Sequence, residues 1–187
     1  GGMIARGLRP GTPVALFAPN SIEWVVCRLA LIGADALCVP LDFDADATRV
    51  RELVRDSGAR LIFTVEPLLP VVDAACGALD LHPEIVLLLA PTSGGRALPA
   101  LGDLAGAPPE SLPQADDEAP VSQFYTSGST GPPKAVPLTH RNIVTNIRVL
   151  RDLAVLAAGN RVLLPLPLHH SYPFIVGLML PLAAGCT

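Results

Sequence analysis

Ten residues from Tyr125 to Lys134 read Tyr-Thr-Ser-Gly-Ser-Thr-Gly-Pro-Pro-Lys, a set of residue types suited to wrapping a polyanionic phosphate. Thr126, Ser127, Ser129 and Thr130 bring hydroxyl donors, and Lys134, the one lysine of the chain, brings a compact and mobile positive charge. Gly128 and Gly131 permit φ > 0, so the backbone can turn its N–H groups inward toward an anion. Pro132 and Pro133 limit the freedom of the unfolded loop and keep it from becoming helix.

Two other glycine-rich motifs are excluded by single positions. A G-x-x-x-x-G-K-[ST] phosphate loop needs glycine before its lysine and a hydroxyl after it, but Lys134 lies between Pro133 and Ala135. A G-x-S-x-G nucleophile elbow around Ser129 needs glycine where Ser127 stands. A plain Ser/Gly/Pro surface turn has no need of so ordered a run of hydroxyls ending in lysine.

The segment resembles the phosphate-binding signature of the adenylate-forming (AMP-binding) enzymes, and three further segments follow that family's order. These are Asn20-Ser21-Ile22-Glu23-Trp24, then Gly33-Ala34 with Val39-Pro40-Leu41-Asp42, then Pro167-Leu168-His169-His170 with Leu182-Ala183-Ala184-Gly185. Four segments in order are far more specific than one. The resemblance is to the acyl-CoA synthetase type and covers the chain from about Arg9 to Thr187. It implies ATP-dependent activation of a carboxylic acid as an acyl-adenylate, followed by thioester formation with coenzyme A. Fatty-acid metabolism is the setting it suggests.

The resemblance also implies roles. Thr126, Ser127, Gly128, Ser129, Thr130, Gly131 and Lys134 would hold the phosphates, with Mg²⁺ bridging phosphate oxygens and Thr126 or Ser129 offering it a ligand. His170 matches the histidine of the family's following segment and would orient the carboxylate or close the acyl site; its plain alternative is a helix-terminus histidine. His169 takes a wall position. Most members have glycine after the lysine; Ala135 stands there and is expected to stiffen or displace the loop.

Two other acceptors stay open: a carrier-protein thiol, as in a fatty acyl-AMP ligase or a peptide-synthetase adenylation domain, or none, in a non-catalytic nucleotide-binding or scaffolding module. The family's later segments, which supply adenine and ribose contacts, the Mg²⁺-binding glutamate and the C-terminal catalytic lysine, do not occur in these 187 residues. The chain is therefore expected to be an N-terminal fragment that catalyses little by itself.

Half the residues are hydrophobic, only 16% are charged, and the net charge is −4. With no basic stripe and few aromatics, nucleic acid has no evident footing as a partner. Cys27, Cys38, Cys76 and Cys186 form no C-x-x-C pair, which suits a reducing, cytoplasmic setting. Residues 163–187 carry no Asp, Glu, Lys or Arg, but the uninterrupted apolar part, Phe174 to Leu180, is too short to span a bilayer. Weak peripheral membrane association is left open.

The elements that must position these residues follow a βαβα rhythm, which predicts an α/β fold with parallel-rich sheets covered by helices on both faces. Strands are expected at 14–18, 37–40, 61–65 and 85–89. Helices are expected after Ser21 to about Ile32 and after Asp44 or Asp46 through Asp56. Five prolines between Pro91 and Pro113 and the run Asp116-Asp117-Glu118 mark an exposed connection over 91–120. It separates a first α/β unit (1–90) from the start of a second unit and a second sheet (121–187). In that second part, Val121 to Tyr125, Ala135 to Leu138 and Arg161 to Leu164 read as strands. Thr139 caps a helix with Ile143, Ile147, Leu150 and Ala154 on one face, and Ser171 opens a last helix.

Overall fold

The computed structural model describes residues 2–5, 7–77, 79, 82–90, 98–106, 116–126 and 133–187. The elements are α1 (Gly2–Ala5), β1 (Pro13–Phe17), α2 (Ile22–Gly33), β2 (Leu37–Leu41), α3 (Ala47–Ser57), β3 (Leu61–Thr64) and α4 (Leu69–Cys76). They continue with β4 (Glu84–Leu87), β5 (Pro120–Thr126), β6 (Lys134–Thr139), α5 (His140–Asp152), a π-helical segment (Pro173–Met179) and α6 (Leu180–Ala184). The strands form one sheet in the order β4-β3-β1-β2-β5-β6, parallel throughout except for the antiparallel β5–β6 pair.

β1 lies inside the sheet and is buried on both faces. Val14 and Leu16 point to one cluster, with Trp24 and Leu31 of α2, while Ala15 and Phe17 point to the other, with Val50, Leu53 and Val54 of α3. Two-residue alternation in a strand puts neighbours on opposite faces, so a strand covered on both sides must be apolar at every position. Each such fully buried Leu or Phe contributes roughly 1.5–3 kcal/mol.

Local chemistry starts and stops the helices. Ser21 Oγ accepts from the Trp24 N–H at 3.0 Å, and Asp46, rather than Asp44, caps α3 by accepting from the Arg49 N–H at 2.8 Å. Gly58 ends α3 at φ 67°, a conformation that favours glycine. Thr139 and Asn142 form a reciprocal capping box on α5, with bonds of 3.1 and 3.2 Å.

Three expectations need correction. Val121 to Tyr125 opens no second sheet among the described residues; β5 joins β2 of the same sheet through Cys38↔Ser122. Pro40 has no N–H to donate, which keeps that ladder short. Arg161 to Leu164 forms no ladder among the described residues: Val162 N–H donates to Thr187 O at 2.9 Å and Thr187 N–H to Asn160 O at 2.8 Å, the bond pattern of a single parallel bridge. Ala154 lies beyond α5 at φ 50°, because the helix stops at Asp152. The expected apolar face otherwise holds, with Ile143 buried and Ile147 and Leu150 packed against the same cluster.

Most of the proline-rich connection, 91–97 and 107–115, lies outside the described residues. Among the described residues no helix is long and apolar enough to cross a membrane.

Candidate functional site

β5 and β6 make a hairpin that carries the hydroxyl-rich segment at its tip. Thr126 is paired with Lys134, the two being the last residue of β5 and the first of β6. Residues directly opposite in an antiparallel pair project from the same face of the sheet, so hydroxyl and cation share one side of the hairpin's mouth. Both are exposed. Ser127, Gly128, Ser129, Thr130 and Gly131 lie outside the described residues.

Ala135 does not behave as its place in the motif suggests. It pairs with Tyr125 inside the β5–β6 ladder, and it is not among the non-glycine residues with positive φ. No left-handed backbone is required there, so the methyl group imposes no strain.

Beside the mouth of the hairpin is a cavity of about 500 Å³. Thr126, Tyr125, Phe124, His170, Tyr172 and Ile175 are among the residues that line it. Thr126 and His170, 44 positions apart in sequence, thus border one space. The lining mixes apolar side chains such as Val136, Leu138 and Ile175 with polar ones such as Thr126, Asn146 and Ser171, which suits a ligand with both apolar and polar parts.

The two histidines are held by the chain on either side. Asn20 clasps the preceding segment: its Nδ2 donates to Leu166 O and its Oδ1 accepts from the Leu168 N–H, both at 2.9 Å. On the other side the Phe174 N–H donates to His170 O at 3.2 Å, which places His170 at a helix N-terminus. The plain alternative for His170 and its place beside the cavity are therefore both true of the same residue.

His169 is the more enclosed of the pair. Its ring lies 4.2 Å from the His170 ring, 6.1 Å edge-on from Phe43, and its Nε2 is 3.7 Å from Asp42 Oδ1, too far for a hydrogen bond. Burial holds the His169 pKa below its ordinary value; Asp42 draws it back up and His170 pushes it further down.

Tyr125 fixes the base of the hairpin. Its hydroxyl donates to Asp56 Oδ2 at 2.6 Å, near the end of α3, and accepts from Gln123 Nε2 at 2.7 Å. Burial, then the bond to Asp56, pushes this phenol well above its ordinary pKa, so it stays a donor. His140, the first residue of α5, has its Nε2 3.1 Å from Asp35 Oδ1, which ties the β6–α5 junction to the α2–β2 turn.

Asn20, Asp56, His140 and Asp35 are contacts that the sequence did not announce as partners. Asn20 stood in a recognised segment, but its bonds reach across 146 and 148 positions. No spacing rule finds such pairs.

For an implied nucleotide and its Mg²⁺, the described donors fit phosphate: one hydroxyl and one ammonium side by side. Among the described residues no group of three or more His, Cys, Asp or Glu could hold a metal ion.

The described site is thus a hydroxyl-and-lysine hairpin on a parallel-rich α/β sheet, beside a cavity. The chain belongs to the AMP-binding enzyme family, which it matches over residues 1–187. It is 32% identical to a probable CoA ligase, CCL9, of Humulus lupulus over 98% of this chain, and 31% identical to an oxalate–CoA ligase of Arabidopsis thaliana over 96%. It spans 35% of the length of each of these curated relatives. The fold also superimposes on a crystal structure described as a long-chain-fatty-acid CoA ligase from Rhodopseudomonas palustris. That match has a TM-score of 0.86 and 20% identity, and covers 99% of this chain and 46% of the other.

Proposed function

We propose that the protein carrying this chain activates a carboxylic acid with ATP as an acyl-adenylate and then transfers the acyl group to the thiol of coenzyme A. The observation that carries this reading is the pairing of Thr126 with Lys134 at the edge of the cavity that His170 also lines. Membership of the AMP-binding enzyme family and relatives named as CoA ligases support it.

In the first step a carboxylate oxygen attacks the α-phosphorus, a new P–O bond forms, and the bond to pyrophosphate breaks. The barrier is electrostatic, because two anions must meet while a third leaves. Lys134 offsets charge on the β- and γ-phosphates and on the departing pyrophosphate, and Thr126 donates or ligates at the same place. Mg²⁺, where bound, would supply further neutralisation of phosphate charge, with Thr126 as a protein ligand. Ser127, Gly128, Ser129, Thr130 and Gly131 complete the clamp. In the second step the coenzyme A sulfur attacks the acyl carbon and AMP leaves with the bonding electron pair.

On this reading the carboxylate head of the acid meets His170, which lines the same cavity as Thr126. Its ring orients the acid or closes the site by packing. Asn20 and the first helical turn behind it keep that ring in place.

The test is ATP–pyrophosphate exchange by the whole protein across a panel of carboxylic acids. Lys134→Ala is expected to lower exchange by roughly a hundredfold. Unchanged exchange in that variant refutes the clamp, and failure of every acid to support exchange favours a non-catalytic module.

A further inference from the structure

One buried charge plays no part in the reaction as described. Arg28, on α2, is fully buried, with 0% of its surface exposed. Its Nη2 donates to Ser122 Oγ on β5, while Nε and Nη1 have no hydrogen-bond partner. What stands against the charge is aromatic: the guanidinium carbon lies 4.4 Å from the Phe174 ring centre and 5.7 Å from that of Phe124. Cys38 responds to the same cation; burial raises the pKa of its thiol and Arg28 draws it down.

Stability alone does not explain an arginine here. A buried cation with unpaired N–H groups carries a desolvation penalty, and replacing such a group by an apolar side chain of similar volume is often neutral or stabilising. The two rings it touches are placed to matter. Phe124 lines the cavity beside His170, and Phe174 is the second residue of the π-helical segment, whose next residue, Ile175, lines it too. The rings themselves are tilted against each other with centres 6.1 Å apart. π-Helical turns recur at functional sites because they re-aim side chains at a cost in backbone regularity.

We propose that Arg28 is a positioning residue which sets the shape of the acyl cavity by holding Phe124 on β5 and Phe174 on the π-helical segment against one cation. The hydrogen bond to Ser122 fixes the guanidinium relative to β5. The ring contacts then fix the distance from β5 to the segment that follows His170. The inference rests on the reading of that cavity as the acyl site.

The experiment is kinetic and uses the whole protein with a series of carboxylic acids of graded length. Arg28→Met keeps volume and removes charge; it is expected to melt at or above the parental temperature and to leave the KM for ATP unchanged. Its KM for the best acid is expected to rise about tenfold, with the preferred length displaced, because one misplaced wall in an apolar pocket has effects of that size. Arg28→Lys, which keeps the cation near the rings, is expected to recover most of the loss.

Should Arg28→Met prove insoluble, Phe174→Leu removes the nearer ring, keeps the charge, and must show the same displacement. A parental length profile in the folded variant, or in Phe174→Leu, overturns the assignment alone. A parental protein that activates no carboxylic acid overturns the reading of the reaction, and this assignment with it.

Discussion

The side-chain oxygen of Asn20 accepts a hydrogen bond from the Leu168 N–H at 2.9 Å, joining the start of α2 to the turn that carries both histidines. The same amide donates to Leu166 O at 2.9 Å. Asn20→Ala leaves both backbone groups without their partner and is expected to cost about 1–3 kcal/mol in urea unfolding. Asn20→Asp retains the acceptor for Leu168 but faces Leu166 O with a carboxylate. Its acid KM should therefore rise while its ATP KM holds; equal damage to both would refute a local role.

Tyr125 anchors the hairpin from beneath. Tyr125→Phe removes a donor to Asp56 and an acceptor from Gln123, a loss of about 1 kcal/mol or more. The raised pKa of the phenol fixes the sign of a pH effect. The folded protein keeps this proton where the unfolded chain releases it, so the contribution is whole below about pH 10 and is lost as pH rises beyond it. Alkaline unfolding curves of parent and Phe variant should converge with rising pH; parallel curves contradict the coupling.

His169 gives the opposite edge of the pH range. Its pKa is lowered, chiefly by burial, so below about pH 6.5 the unfolded chain takes up a proton that the folded chain refuses. Stability therefore falls as pH falls through that window. Melting temperatures between pH 7 and pH 5 should decline less in His169→Phe, which keeps an aromatic ring beside Phe43. An unchanged slope would show that the ring is not held neutral by its surroundings.

Ala135 separates motif from geometry. The residue lies in the β5–β6 ladder opposite Tyr125 and has no positive φ to accommodate. Ala135→Gly restores the commoner motif residue, yet is expected to destabilise by roughly 0.5–1 kcal/mol, because glycine loses more backbone freedom on folding. The KM for ATP should not change. A gain in exchange rate would mean that the tip needs the freedom glycine provides.

Much of this was legible from residue order. Strand and helix periodicities in the first half placed β1 to β4, α2 and α3 nearly where they stand, because each alternation is read within one element. Ser21 and Thr139 announced their caps through bonds that close within three positions. The family was readable from four local segments. Arg161 to Leu164 shows the complementary case: a strand needs a neighbour, and among the described residues only Thr187 bonds to it.

From the order of residues alone come the α/β character, the Ser21 and Thr139 caps, the family and the grouping of hydroxyls, glycines and lysine within ten residues. Tertiary structure decided that β5 joins β2 in a single sheet, that Thr126 and His170 border one cavity, and that Arg28 packs against both Phe124 and Phe174. Signals of the first kind act over a few bonds, where covalent geometry dictates the outcome. Contacts of the second kind join residues dozens to more than a hundred positions apart, and only the packing of the whole sheet brings them together.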